Sequence, residues 1–94
     1  MTRIFSASAI ALIASLSAAN AATEIQWWHA MGGELGAKLE EIAKNFNESQ
    51  TDYVIKPSYK GNYVETMTAA IAAFRAKQQP AIVQVFEAGT GTMT

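Results

Sequence analysis

Tyr53-Val54-Ile55-Lys56-Pro57-Ser58-Tyr59-Lys60-Gly61-Asn62 is the stretch that decides the fold. Its large residues Tyr53, Ile55, Pro57 and Tyr59 fall at every second position, the period of a strand whose side chains alternate between two faces. Pro57 has no N–H to give to a ladder, which pushes this strand towards the sheet edge. Lys60-Gly61-Asn62 is turn chemistry, and Asn62 can cap a following helix. Beyond the turn the period changes. Over residues 64–77, Met67, Ala70, Ile71 and Phe74 line one helical face, and Gln78-Gln79-Pro80 ends the helix.

Working outward, residues 81–86 (Ala-Ile-Val-Gln-Val-Phe) form a short, mostly apolar run, as a centrally placed parallel strand would. On the other side, residues 24–29 (Glu-Ile-Gln-Trp-Trp-His) read as a buried strand, broken by Met31-Gly32-Gly33. Between these strands, Leu35, Leu39, Ile42, Ala43 and Phe46 recur at helical spacing over residues 34–46, with Asn47 as a stop. Glu34 with Lys38 and Glu40 with Lys44 are expected as i,i+4 pairs. The order is strand, helix, strand, helix, strand, an α/β chain with a parallel sheet, right-handed crossovers and helices on its faces.

Residues 1–21 read differently. Arg3 precedes an apolar stretch that ends in Ala19-Asn20-Ala21, the layout of a secretory signal peptide. The run is well short of the ~20 residues that span a bilayer. Cleavage after Ala21 leaves residues 22–94, with six Lys/Arg against eight Asp/Glu. That balance has no basic stripe, so nucleic acid is not an expected partner. The absence of cysteine removes disulfides, a lipid-anchoring thiol and Cys-based metal sites. The leader predicts export to the periplasm. The Gly89-Thr90-Gly91-Thr92-Met93-Thr94 end reads as a loop that opens further structure, so a truncated lobe is expected over 22–94.

In open α/β sheets ligands bind outside the carboxyl ends of the strands. That rule selects the turn after His29, the loop 60–63 and residues 87–91. His29, Tyr63 and Glu87, with Lys60 and Asn62 close in sequence, are expected on one rim. A phenol and a carboxylate suit a polyhydroxylated ligand, because Tyr donates or accepts and Glu accepts from hydroxyls. Each residue also has a plainer reading. His29 serves equally as a half-buried ring bonded to backbone, Trp28 as aromatic filler or a stacking surface, and Lys60 as a solvated charge. Glu87 is the hardest to dismiss, since a carboxylate directly after an apolar strand is costly unless it caps, pairs or binds. No Gly-x-Ser-x-Gly, His-Glu-x-x-His, dinucleotide or P-loop signature occurs, so neither an enzyme, a cofactor nor a metal is expected.

Tyr59-Lys60-Gly61-Asn62-Tyr63, Ala70-Ile71-Ala72-Ala73-Phe74-Arg75 and Pro80-Ala81-Ile82-Val83-Gln84-Val85-Phe86-Glu87, with Trp28-His29-Ala30-Met31 ahead of them, closely resemble the periplasmic sn-glycerol-3-phosphate-binding proteins of bacterial ABC importers. The resemblance covers residues 23–93. It implies the βαβαβ portion of lobe 1 of a two-lobed, type II-like solute-binding protein, with the second lobe absent. It also implies a monomer that delivers sn-glycerol-3-phosphate, or a glycerophosphodiester, to a membrane permease and its ATPase. Tyr63 and Glu87 match that family's ligand contacts, with Glu87 on the glycerol hydroxyls. An oligosaccharide ligand, or a small secreted adaptor, remains the alternative.

Overall fold

A computed structural model describes residues 21–94 of the chain; residues 1–20, all but the last residue of the leader expected over 1–21, lie outside the described residues. The elements are β1 (Thr23–His29), α1 (Gly33–Ser49), β2 (Tyr53–Tyr59), α2 (Tyr63–Arg75), β3 (Ile82–Val83), a 3-10 turn (Glu87–Gly89) and α3 (Thr90–Met93). The strands form one parallel sheet in the order β2-β1-β3.

β1 pairs with β2 along its whole length, Thr23 opposite Tyr53 and His29 opposite Tyr59. β2 is an edge of the described sheet. Pro57 shares the parity of Ile55, whose N–H turns away from β1 to meet Asn47, so the missing donor of Pro57 costs the ladder nothing. The central strand is β1 rather than the apolar run expected there. That run forms only a two-residue strand, Ile82–Val83, on the far side of β1. Gln84 N–H still donates to Trp28 O at 2.9 Å, the last backbone rung described between the two strands.

Both helices differ in length from the sequence expectation. α1 runs through Asn47 to Ser49. Asn47 does not stop the helix, because its amide is committed sideways to both backbone groups of Ile55. After α1, Gln50 shapes the turn into β2 by accepting from the N–H groups of Asp52 and Tyr53 at 3.0 and 2.8 Å. α2 stops at Arg75. There Gln78 N–H donates to Ala73 O and Lys77 N–H to Phe74 O, with Lys77 in the left-handed region at φ 59°. This is a Schellman closure made without glycine. The end of the chain, expected as a loop, forms the 3-10 turn and the short α3.

The core is small. Leu39 and Ala43 of α1 and Ala70 of α2 are buried, whereas Leu35, Ile42 and Phe74, expected in the apolar stripes, are 65, 62 and 68 % exposed. Among the described residues the ion pairs are Lys38–Glu41 and Lys56–Glu24. Neither expected i,i+4 pair forms, and all four paired groups are exposed, so these contacts add little to stability. No helix among the described residues is long and apolar enough to cross a membrane.

Candidate functional site

The carboxyl ends of the strands meet three connecting segments: residues 30–32 after β1, residues 60–62 after β2 and residues 84–87 after β3. α2 starts in the second of these. Gly61, at φ 110°, makes the sharp entry, where a side chain is strained. Asn62 then closes a capping box. Its Oδ1 accepts from Glu65 N–H at 2.8 Å and Glu65 Oε1 accepts from Asn62 N–H at 2.9 Å. The side-chain oxygen of Asn62 is thereby used by the helix it starts. Tyr63 is the first residue of that helix.

Tyr63 and the segment carrying Glu87 come together through Phe86. The Tyr63 and Phe86 rings lie 5.5 Å apart, tilted by 38°, an offset aromatic contact. Glu87, next in sequence and exposed, opens the 3-10 turn. Gly89 behind it is buried; a Cβ there would sit 3.0 Å from Met67 Sδ and 3.3 Å from the Phe86 ring. The turn is thus packed directly on α2 and Phe86. Sequence reasoning did not single out Phe86, because an apolar residue at the end of an apolar run looks like a core strand position.

Lys60 and Trp28 form a second contact on this rim. Lys60 Nζ lies 4.3 Å from the Trp28 ring centroid, a cation–π geometry, while Lys60 N–H donates to His29 O at 2.9 Å. His29 is only 1 % exposed, fully rather than half buried. Its Nδ1 accepts from Met31 N–H at 3.2 Å. The ring stands between Trp27 and Tyr59, with centroids 6.3 and 6.0 Å away. Its Nε2 is buried and has no hydrogen-bond partner among the described residues. The structure therefore has Trp28, Lys60, Asn62, Tyr63 and Glu87 at or just beyond the strand ends and buries His29 as the last residue of β1.

Gln84 is the other residue that sequence reasoning passed over. In a continuing parallel ladder, Ala30 N–H would meet the backbone carbonyl of Gln84. It meets the Gln84 side-chain carbonyl instead, at 2.9 Å. The signal available was a single amide residue inside an otherwise apolar run. Among the described residues no group of three or more His, Cys, Asp or Glu side chains is placed to hold a metal ion.

A parallel α/β sheet with aromatic, amide, ammonium and carboxylate groups outside its strand ends has the arrangement in which open α/β sheets bind ligands, and it is consistent with a fragment of a solute-binding protein. Comparison with known proteins narrows the class. The chain is 61 % identical over 75 residues to the sn-glycerol-3-phosphate-binding periplasmic protein UgpB of Rhizobium meliloti (strain 1021), covering 80 % of this chain and 17 % of that protein. It is 57 % identical over 91 residues to UgpB of Agrobacterium fabrum (strain C58 / ATCC 33970), covering 97 % of this chain and 21 % of the relative. With UgpB of Brucella suis biovar 1 (strain 1330) it shares 53 % over 95 residues, 98 % of this chain and 22 % of the relative. The resemblance read from the motifs is borne out, and the chain spans about a fifth of the length of these curated relatives. No family model matches the chain.

Proposed function

We propose that this chain supplies part of the ligand site of a periplasmic, non-enzymatic solute-binding component of an ABC importer, one that takes sn-glycerol-3-phosphate. The observation that carries this reading is the Tyr63–Phe86 contact at 5.5 Å, which sets a phenol beside the residue preceding the Glu87 carboxylate. Tyr63 and Glu87 are the ligand-contacting groups of this proposal. Glu87 accepts from the glycerol hydroxyls, since a carboxylate next to phosphate would be repelled, and Tyr63 donates or accepts. Lys60, Asn62, Trp28 and His29 are secondary groups of the rim. Residues 1–21 act as the export signal, and residues 22–94 make the N-terminal part of the first lobe.

The length of the relatives supports this division, because four-fifths of each lies outside the match. So do the bare Leu35, Ile42 and Phe74 side chains, which a complete lobe would cover. The assembled protein is read as a monomer that hands its ligand to a membrane permease and ATPase.

The test joins this chain to the remaining part of the Rhizobium meliloti relative and measures heats of binding. The chimera should bind sn-glycerol-3-phosphate, and Glu87→Gln and Tyr63→Phe should each weaken it about tenfold or more, as expected for removing a hydrogen bond to a polar ligand. The chain alone should bind weakly or not at all, because one face encloses only part of a small anion. Binding of maltose with no heat from sn-glycerol-3-phosphate would replace the ligand assignment with an oligosaccharide.

A further inference from the structure

The geometry points to Gln84 as a positioning residue: its side-chain carbonyl, standing in for a strand carbonyl, ties the end of β1 to the segment that carries Phe86 and Glu87. This rests on the reading of Tyr63 and Glu87 as ligand groups, but the contacts themselves do not.

Gln84 is held twice. Its backbone N–H donates to Trp28 O at 2.9 Å, and its Oε1 accepts from Ala30 N–H at 2.9 Å. The residue uses its own N–H to finish the ladder and its side chain to take the next rung. The Gln84 backbone carbonyl is thereby released from β1. The chain can then leave the sheet plane, and two residues later the Phe86 ring meets Tyr63. A residue without a side-chain acceptor at position 84 leaves a choice. Either Ala30 N–H stays unpaired in a part-buried site, or the backbone carbonyl returns to it and β3 grows longer. The second outcome would move Phe86 and Glu87 away from Tyr63.

The other connections of the β1 end run to the same place. Thr66, 0 % exposed, has its hydroxyl 3.4 Å from both His29 O and Gly61 O. It sits one turn after Tyr63 on α2, so this contact ties the start of that helix to β1. Met31 N–H is taken by His29 Nδ1. Consecutive rim groups, His29 O, Ala30 N–H and Met31 N–H, are therefore each fixed by a side chain. Two of those side chains, Thr66 and Gln84, lie three residues from Tyr63 and Glu87 respectively. Gln84 is the member whose loss leaves the backbone an alternative course.

The experiment uses the isotopically labelled chain in solution. A through-hydrogen-bond coupling between Ala30 N and Gln84 Cδ is expected in the unsubstituted chain, and its absence would overturn the inference at once. Gln84→Met keeps length and removes the acceptor. The Ala30 amide should then exchange about tenfold faster, the factor matching the net worth of one such bond. The Tyr63–Phe86 ring cross-peaks should disappear while the Leu39 and Ala43 amides hold their protection. Gln84→Glu, which keeps an acceptor oxygen in place, should restore the cross-peaks. If they persist in Gln84→Met, the bond positions nothing and the proposal fails. It also fails if Gln84→Glu keeps the Ala30 coupling and still loses them. Adding sn-glycerol-3-phosphate to the chimera with the Rhizobium meliloti relative, labelled in the same way, separates the two readings. Unmoved Tyr63 and Glu87 signals would count against the ligand assignment and leave the Gln84 result as it stands.

Discussion

The Asn47 side chain holds Ile55 by both backbone groups, its Nδ2 donating to Ile55 O at 2.9 Å and its Oδ1 accepting from Ile55 N–H at 2.7 Å. Those groups point away from β1, on the side where the described sheet has no further strand. The amide therefore pairs an edge that would otherwise be left open. Asn47→Ala removes two hydrogen bonds and leaves a part-buried donor and acceptor unpaired, so a loss of about 1–3 kcal/mol is expected. Urea unfolding followed by circular dichroism checks it, with Asn45→Ala, an exposed change on the same helix, expected within about 0.5 kcal/mol of the parent. Equal effects from the two would mean that the Ile55 contacts carry no stability. The sequence marked Asn47 as a special position and assigned it the wrong role. An asparagine near a helix end has two uses, stopping its own helix or bonding a neighbouring strand, and only the placement of Ile55 distinguishes them. The positions of Tyr63 at a helix start and Glu87 just after a strand were legible because strand ends and helix starts are punctuated. Phe86 was not, since nothing local tells an aromatic that stacks across the rim from one that fills a strand.

At the scale of elements, the closure of α2 gives a second test. Lys77 adopts φ 59° between the two bonds that end the helix. A side chain in that region costs roughly 1–2 kcal/mol that glycine avoids, set against the larger chain entropy glycine brings to the unfolded state. Lys77→Gly is expected to raise stability by about 0.5–1 kcal/mol, read as a higher urea midpoint at constant slope. A lower midpoint would mean that the lysine side chain makes a compensating contact. The alternation of strands and helices was plain in the sequence because the period switches from two to 3.6 at Gly61-Asn62, and the capping box starts α2 where the turn chemistry placed it. The length of β3 was not. Residues 81–86 are apolar for two unrelated reasons. Val83 is in the ladder opposite Trp28, whereas Phe86 is apolar because it packs on Tyr63. Hydrophobicity alone merges the two, and the polar residue between them, Gln84, is where the chain changes course.

For the molecule as a whole, the balance of surface and core is the informative quantity. A chain of this size buries only about 60 % of its unfolded surface even when complete, and here the buried apolar core among the described residues is Leu39, Ala43 and Ala70. Against it stand Leu35 and Ile42 on one helix and Phe74 on the other, each more than half exposed. Phe74 also lines a groove with Ala70, Pro80, Val83 and Met93. Exposed apolar side chains of this kind bind hydrophobic dyes and commonly mark surface that another segment or partner covers. The chain alone is therefore expected to enhance the fluorescence of 8-anilinonaphthalene-1-sulfonate. Enhancement would also arise if the chain were merely a loosely packed globule, so the surface must be changed to separate the causes. Ile42→Ser with Phe74→Ser removes two of the exposed side chains while touching none of the three buried ones, and the dye signal should fall with the near-ultraviolet circular dichroism unchanged. A globule with fluctuating packing would instead keep its dye signal and show little near-ultraviolet structure in either form. The chimera with the remaining part of the Rhizobium meliloti relative should show little enhancement without any substitution. If it fluoresces as strongly as the chain alone, then the added sequence leaves these side chains bare, and the assignment of residues 22–94 to a larger lobe loses its structural support.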